Sequence, residues 1–140
     1  MSKLHSYGIN VELINWIRSF LGDRSQHVKI NNVLSSNQPV LSGIPHGSVL
    51  GPLLFIIYIN DLPEVCSAMC HTFLFADDAK LYKCVRNQHD AVILNQGFEK
   101  MTEWCKKWLM KLNVNKCKVL SLCSNKNNIV KYRYAINLHV

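Results

Sequence analysis

No stretch of this 140-residue chain is long and apolar enough to span a bilayer. The longest apolar run, Val49 to Ile59, falls short of the about 20 residues that a helical span needs. The first residues, Met1-Ser2-Lys3-Leu4-His5-Ser6, carry no apolar leader of the secretory kind. The expectation is neither a membrane protein nor a secreted one. Internal repeats and low-complexity tracts are absent, so one compact unit is the simplest organisation. Disorder is excluded by composition, with 49% hydrophobic and 18% charged residues. Acidic side chains are scarce and run out along the chain. Residues 1–99 hold seven Lys/Arg and eight Asp/Glu, a balance of 7 − 8 = −1. Residues 100–140 hold nine and one, a balance of 9 − 1 = +8. A basic final third suits a polyanion such as nucleic acid, or is simply a solvated lysine-rich face.

Cysteine is not lacking: Cys66, Cys70, Cys84, Cys105, Cys117 and Cys123 are present. Without a secretory leader, reduced and largely buried thiols are the default. Cys66, Cys70 and His71 have the look of half a zinc site, but no second close pair completes it.

Periodicity gives a coarse α+β layout. Asn10 caps a helix running to Leu21, with Leu13, Ile14, Trp16, Ile17, Phe20 and Leu21 as its apolar stripe, and Gly22 ends it. Gln26 to Ile30 alternates, and Asn31-Asn32 turns the chain into Val33-Leu34 as a small hairpin. After the loop Ser42-Gly43-Ile44-Pro45-His46-Gly47-Ser48, the run to Ile59 is apolar all round, so as a helix it has to be buried on most sides. Pro52 fits its first turn, and Asn60, Asp61 and Pro63 stop it. His71–Ala76 and Ala79–Cys84 read as strands joined at Asp77-Asp78. Asp90 caps a long helix to about Met110, with Lys106, Lys107 and Lys111 largely off its apolar stripe. Val119 to Leu122 reads as a strand, and Tyr132–Val140 as a last one.

Three features carry chemistry. Adjacent carboxylates at a hairpin tip repel each other unless a cation relieves them, and Mg²⁺ takes hard oxygen ligands of this kind. Asp77-Asp78 also fits plain turn chemistry, since Asp favours turns. Gly47-Ser48 before a helix start offers unhindered backbone to a phosphate or ribose, or makes a structural turn. Lys116, after a helix and before a strand, can approach a phosphate as a point charge or proton donor, or lie in a basic surface stretch.

Taken in order, these segments resemble one family. Ser42-Gly43-Ile44-Pro45-His46-Gly47-Ser48-Val49-Leu50-Gly51-Pro52-Leu53-Leu54 resembles the motif S-G-V-P-Q-G-S-V-L-G-P-L-L of reverse transcriptases from non-long-terminal-repeat retrotransposons, the jockey-like and LINE-type elements. Tyr58-Ile59-Asn60-Asp61-Leu62-Pro63 continues it, and Phe75-Ala76-Asp77-Asp78 is similar to the F-A-D-D box. Trp104 through Trp108 and Leu112-Asn113-Val114-Asn115-Lys116-Cys117-Lys118 resemble the next motif. Lys3 to Ile9 matches the helix that follows the family's first catalytic motif.

The resemblance implies an RNA-directed DNA polymerase: a primer 3′-hydroxyl attacks the α-phosphorus of a deoxynucleotide on an RNA template. It implies Mg²⁺, or Mn²⁺ in its place, held by Asp77 with Asp78 beside it. Pro45, His46, Gly47 and Ser48 would line the surface where template and incoming nucleotide pair, and Lys116 would sit near the triphosphate. Lys106, Lys107 and Lys111 would hold nucleic-acid backbone. The partners would be an RNA template, a DNA primer and deoxynucleotide triphosphates, with no membrane, inside the cell in nucleus and cytoplasm.

The implied fold is part of a polymerase palm of split β-α-β type. Two departures follow. His46 stands where the family has Gln, and a neutral imidazole has one donor where an amide has two. The family's first motif, with another metal-binding Asp, lies upstream of Lys3, and Asp23 follows a helix in a turn. The expectation is a fragment, residues 1–140, without the first palm strand, fingers or thumb and inactive alone, or else a non-catalytic nucleic-acid-binding or interaction module derived from such an element.

Overall fold

The computed structural model describes residues 1–45, 47–123 and 130–134. Where the uninterrupted sequence suggests one compact unit, the chain folds as two, Met1–Ile59 and Asn60–Val140. Helices and small antiparallel sheets are mixed in both, in keeping with an α+β class.

The first unit is built on three helices, α1 (Ser2–Ser6), α2 (Val11–Leu21) and α3 (Leu50–Ile59). The Asn10 side chain accepts from the Glu12 N–H at 2.8 Å, so α2 starts where the capping rule puts it. Its apolar stripe is only partly used. Ile14 and Ile17 are buried with Leu4 and Leu54, while Leu13 and Trp16 stay exposed, Trp16 stacked on Phe20 at 5.9 Å. The Lys3 ammonium donates to the Tyr58 carbonyl and lies 5.2 Å from the Tyr58 ring centroid, tying α1 to the C-terminal end of α3. The expectation that α3 is buried on most sides fails. Gly51, Leu54 and Ile59 are buried, but Leu53 is 52% exposed and Ile56 58%. The physical reason is the supply of partners: α1 and α2 cover one face of a helix that is apolar on every face.

Between α2 and α3 the chain makes a two-stranded ribbon. Strands β1 (Ser25–Gln26) and β4 (Gln38–Pro39) pair at its root, and β2 (Lys29–Ile30) and β3 (Val33–Leu34) at its tip. Asn31-Asn32 is the turn, with Asn31 at φ +53°, as its position between alternating segments predicts.

The second unit holds α4 (Leu62–Cys66), the hairpin β5 (His71–Phe75) and β6 (Asp78–Tyr82), and α5 (Gln88–Lys107). Helix α4 is not anticipated, because Pro63 reads as a stop when it is in fact a first-turn proline. Helix α5 begins and ends earlier than Asp90–Met110. The cap is Asn87, whose side chain accepts from the Asp90 N–H at 2.9 Å, while the Asp90 carboxylate accepts from the Arg86 N–H at 2.9 Å. Its end is a Schellman turn. Met110 N–H donates to the Cys105 carbonyl at 2.9 Å and Leu109 N–H to Lys106 at 3.3 Å, with Leu109 at φ +58°. Leucine is a poor signal for a position that glycine usually fills.

Beyond α5, Val114–Lys116 is a 3₁₀ turn. The strand expected at Val119–Leu122 does not form; Val119, Leu120 and Leu122 are exposed and no ladder partner lies beside them among the described residues. Of the last expected strand, Tyr132–Tyr134 is irregular and residues 135–140 lie outside the described residues.

Candidate active site

The β5–β6 hairpin carries the sharpest chemistry. Its register pairs Phe75 with Asp78 and His71 with Tyr82, so the two-residue turn is Ala76-Asp77. That moves the bend one residue back from Asp77-Asp78. Asp77 sits in the turn and Asp78 opens β6, and both are exposed. Ala76 takes the left-handed conformation, φ +49°, that tightens the bend. Alternation sends Thr72, Leu74 and Leu81 inward and leaves Phe73, Phe75 and Tyr82 on the outer face, Phe73 stacked on Tyr82 at 5.5 Å. Asp78 shares that outer face with Phe75, its cross-strand partner.

The inner face is anchored by thiols. Cys66, Cys70 and Cys105 are buried, and the Cys66 thiol donates to the Gly97 carbonyl at 3.6 Å. Burial pushes the Cys66 thiol up to about 11, reinforced by Cys70 and opposed by the Thr72 hydroxyl. A zinc site from Cys66, Cys70 and His71 does not form. The two thiols point into the core, whereas the His71 ring lies on the exposed face, stacked on Tyr82 at 5.0 Å. Among the described residues, no group of three or more His, Cys, Asp or Glu gathers around a common point.

Asp77 and Asp78 offer the hard, exposed oxygens that a divalent cation takes. Two carboxylates would supply only part of such a cation's ligands, the rest having to come from phosphate, water or another carboxylate. The donor chemistry therefore fits Mg²⁺ or Mn²⁺, as one portion of a site. A cleft of about 230 Å³ at the opposite end of the hairpin, lined by Met69, Cys70, His71, Lys83 and Cys84 among others, does not include the aspartates.

The glycine loop belongs to the first unit and the hairpin to the second. Gly47 sits at φ +79°, and a Cβ there would meet nothing within 4 Å, so its backbone is open to an approaching group. Ser48 organises the loop: its hydroxyl donates to the Pro45 carbonyl at 2.8 Å and accepts from the Gly51 N–H at 3.0 Å, capping α3. Gly51, in the first turn of α3, is where the helix and this loop pack most closely. A Cβ there would lie 3.0 Å from Ser48 Oγ and 3.1 Å from Ile44 Cδ1, so glycine lets the loop close on the helix. His46 lies outside the described residues.

Lys116 is exposed on the 3₁₀ turn, its N–H donating to the Asn113 carbonyl at 3.0 Å. Lys106 and Lys107 are exposed in the last turn of α5, and Lys111 is exposed just beyond it. The Lys107 ammonium lies 5.5 Å from the Trp108 ring centroid. A polar tie that sequence reading missed joins Trp104 Nε1, donating at 3.1 Å, to Asp61 Oδ1; it holds α5 against the start of α4.

Residues 1–133 match the family described as reverse transcriptase (RNA-dependent DNA polymerase). The chain is similar to the "RNA-directed DNA polymerase from mobile element jockey" of Drosophila melanogaster, 30% identical over 72% of the chain and 12% of that protein. It is also similar to two proteins of that organism each named "Probable RNA-directed DNA polymerase". The one from transposon X-element is 33% identical over 71% of the chain and 12% of that protein. The one from transposon BS is 33% identical over 77% of the chain and 13% of that protein. The chain thus spans about an eighth of the length of these relatives. No solved structure matches it.

Proposed function

Since the chain belongs to the reverse transcriptase (RNA-dependent DNA polymerase) family, we propose that it is the segment of a retrotransposon polymerase that carries the Asp-Asp hairpin of RNA-templated DNA synthesis. The observation that carries this reading is the hairpin itself. Its sequence, Phe75-Ala76-Asp77-Asp78, puts two exposed carboxylates at and beside a tight turn. Asp77 is a Mg²⁺ or Mn²⁺ ligand, and Asp78 contributes a lesser share. Bound there, the metal supplies charge neutralisation on the phosphates of an incoming nucleotide. Pro45, His46, Gly47 and Ser48 line the surface where template and nucleotide pair; the open backbone at Gly47 supports this. Lys116 faces the triphosphate as a cation. The palm is of split β-α-β type, and the whole acts on an RNA template, a DNA primer and deoxynucleotide triphosphates, in nucleus and cytoplasm.

The test is a chimera in which residues 1–133 replace the matching segment of the jockey polymerase. It should synthesise DNA on an RNA template and lose at least about a hundredfold in rate with Asp77→Ala, the order expected when a main electrostatic element of the site is removed. A folded chimera that Asp77→Ala leaves unchanged would refute the reading. The 140-residue chain alone should extend primers weakly or not at all, because two carboxylates make an incomplete metal site. Robust extension by it, abolished in Asp77→Ala, would overturn that expectation.

A second reading, a nucleic-acid-binding module without catalysis, is favoured by the balance of +8 over residues 100–140, with Lys106, Lys107 and Lys111 exposed. It requires salt-dependent RNA binding that survives Asp77→Ala and weakens when those lysines are neutralised.

A further inference from the structure

The ribbon between Arg24 and Val40 has no part in the proposed chemistry, yet its structure is specific. Its two ladder segments form one continuous arm, because Val40 N–H donates to the Arg24 carbonyl at 2.8 Å and Ser35 N–H to Val28 at 2.9 Å. The arm is fixed at its root, where the Arg24 guanidinium donates to the Leu21 carbonyl at 3.0 Å and also to Gly43. From Ser25 to Pro39 every residue is exposed. A two-stranded ribbon alone in water is marginal, so an anchored arm of this kind gains order by lying on something.

Its chemistry says what. From Arg24 to Asn60 the chain has no Asp or Glu. Three serines, three asparagines and two glutamines fill about half of the arm, beside His27 and Lys29. Hydroxyls, amides and cations are the groups that contact phosphate and sugar oxygens, and an acid-free surface repels none of them. A two-stranded ribbon fits a nucleic-acid groove. An A-form duplex offers a wide, shallow one lined by 2′-hydroxyls. Register places Lys29 with Leu34 on one face and Ile30 with Val33 on the other, with Ile30 67% and Val33 74% exposed.

We propose that this ribbon is a nucleic-acid contact. It lies along the sugar–phosphate backbone of an RNA–DNA duplex, with His27 and Lys29 on phosphates, Asn31-Asn32 at the groove, and Ile30 and Val33 against ribose C–H surface. The proposal rests on the polymerase reading only in the choice of duplex.

The test is fluorescence anisotropy of a labelled RNA–DNA hybrid titrated with the chain over a range of salt. His27→Glu with Lys29→Glu should weaken binding on the order of tenfold at low salt and flatten the dependence of log K on log salt by about 1 to 2. Asn31→Gly with Asn32→Gly keeps a turn that tolerates left-handed backbone and removes the amides; it should weaken binding less. Circular dichroism confirms that each variant is folded. Unchanged affinity and slope in the charge-reversed variant overturns the proposal, as does absence of hybrid binding by the parent chain at low salt. If Ile30→Thr with Val33→Thr alters self-association by light scattering and leaves hybrid affinity untouched, the ribbon docks protein and the proposal is wrong. A chimera that folds but makes no DNA, with ribbon-dependent hybrid binding intact, would remove the polymerase reading and leave the ribbon contact standing.

Discussion

At Gly97 the long helix meets the Cys70 thiol so closely that a Cβ would lie 2.6 Å from its sulfur. Gly97→Ala should therefore destabilise the chain by about 1–3 kcal/mol, the usual cost of overpacking. In a Cys70→Ala background most of that penalty should vanish, because the sulfur is gone. A double-mutant cycle by urea denaturation checks it, and additive penalties would contradict the contact. The same core sets thiol reactivity. Cys84, Cys117 and Cys123 are exposed, so an alkylating reagent should label these three first and Cys66, Cys70 and Cys105 only on unfolding. The raised value of Cys66 also fixes a sign. Its neutral thiol contributes stability that is fully present below its unfolded value of 9.0 and is lost as pH rises through about 11. Thermal unfolding between those pH values should show a steady fall in midpoint that is shallower in Cys66→Ala. Equal slopes would show that another group governs the alkaline limb.

Among elements, α5 depends on its first turn. Asn87→Ala removes the acceptor for the Asp90 N–H and should cost about 1 kcal/mol, measured by chemical denaturation; no loss would mean that Asp90 is the effective cap. That helix also shows how far the sequence could be read. Its existence and its apolar stripe are legible from periodicity: Leu94, Met101, Trp104 and Cys105 are buried, while the stripe's other members, Phe98 and Trp108, are half-buried. Its ends are not, since Asn87 and Asp90 are both plausible caps and Leu109 occupies a left-handed position where glycine is the usual signal. The hairpin was legible to within one residue because apolar strands flank two acids, but only the ladder fixes Phe75 opposite Asp78. The ribbon turn at Asn31-Asn32 was legible through residue chemistry. Helix α4 was hidden by the double meaning of Pro63. No strand forms at Val119–Leu122, because three apolar residues without a partner among the described residues do not make a ladder.

At the scale of the whole molecule, large apolar side chains are exposed along much of the chain, from Val11 and Trp16 to Leu120 and Leu122, and the hairpin is one such place. Phe73 is 60% and Phe75 79% exposed, on the hairpin face that Asp78 shares. Both edges of that two-stranded sheet lack a ladder partner among the described residues. Charge is divided, with the acids of the hairpin tip set in a chain whose net balance is +7. Such a division suits the proposed polymerase segment, in which the cations would hold a polyanion and the carboxylates a metal. No described helix is long and apolar enough to cross a membrane.

Paramagnetic Mn²⁺, titrated into the isotopically labelled chain and followed by the loss of backbone amide signals, tests the proposed metal site at the hairpin tip most directly. The signals of Ala76 through Ala79 should broaden first, and Asp77→Asn with Asp78→Asn should abolish the effect. Broadening centred elsewhere, or surviving in that double variant, would contradict the assignment of the metal to this turn.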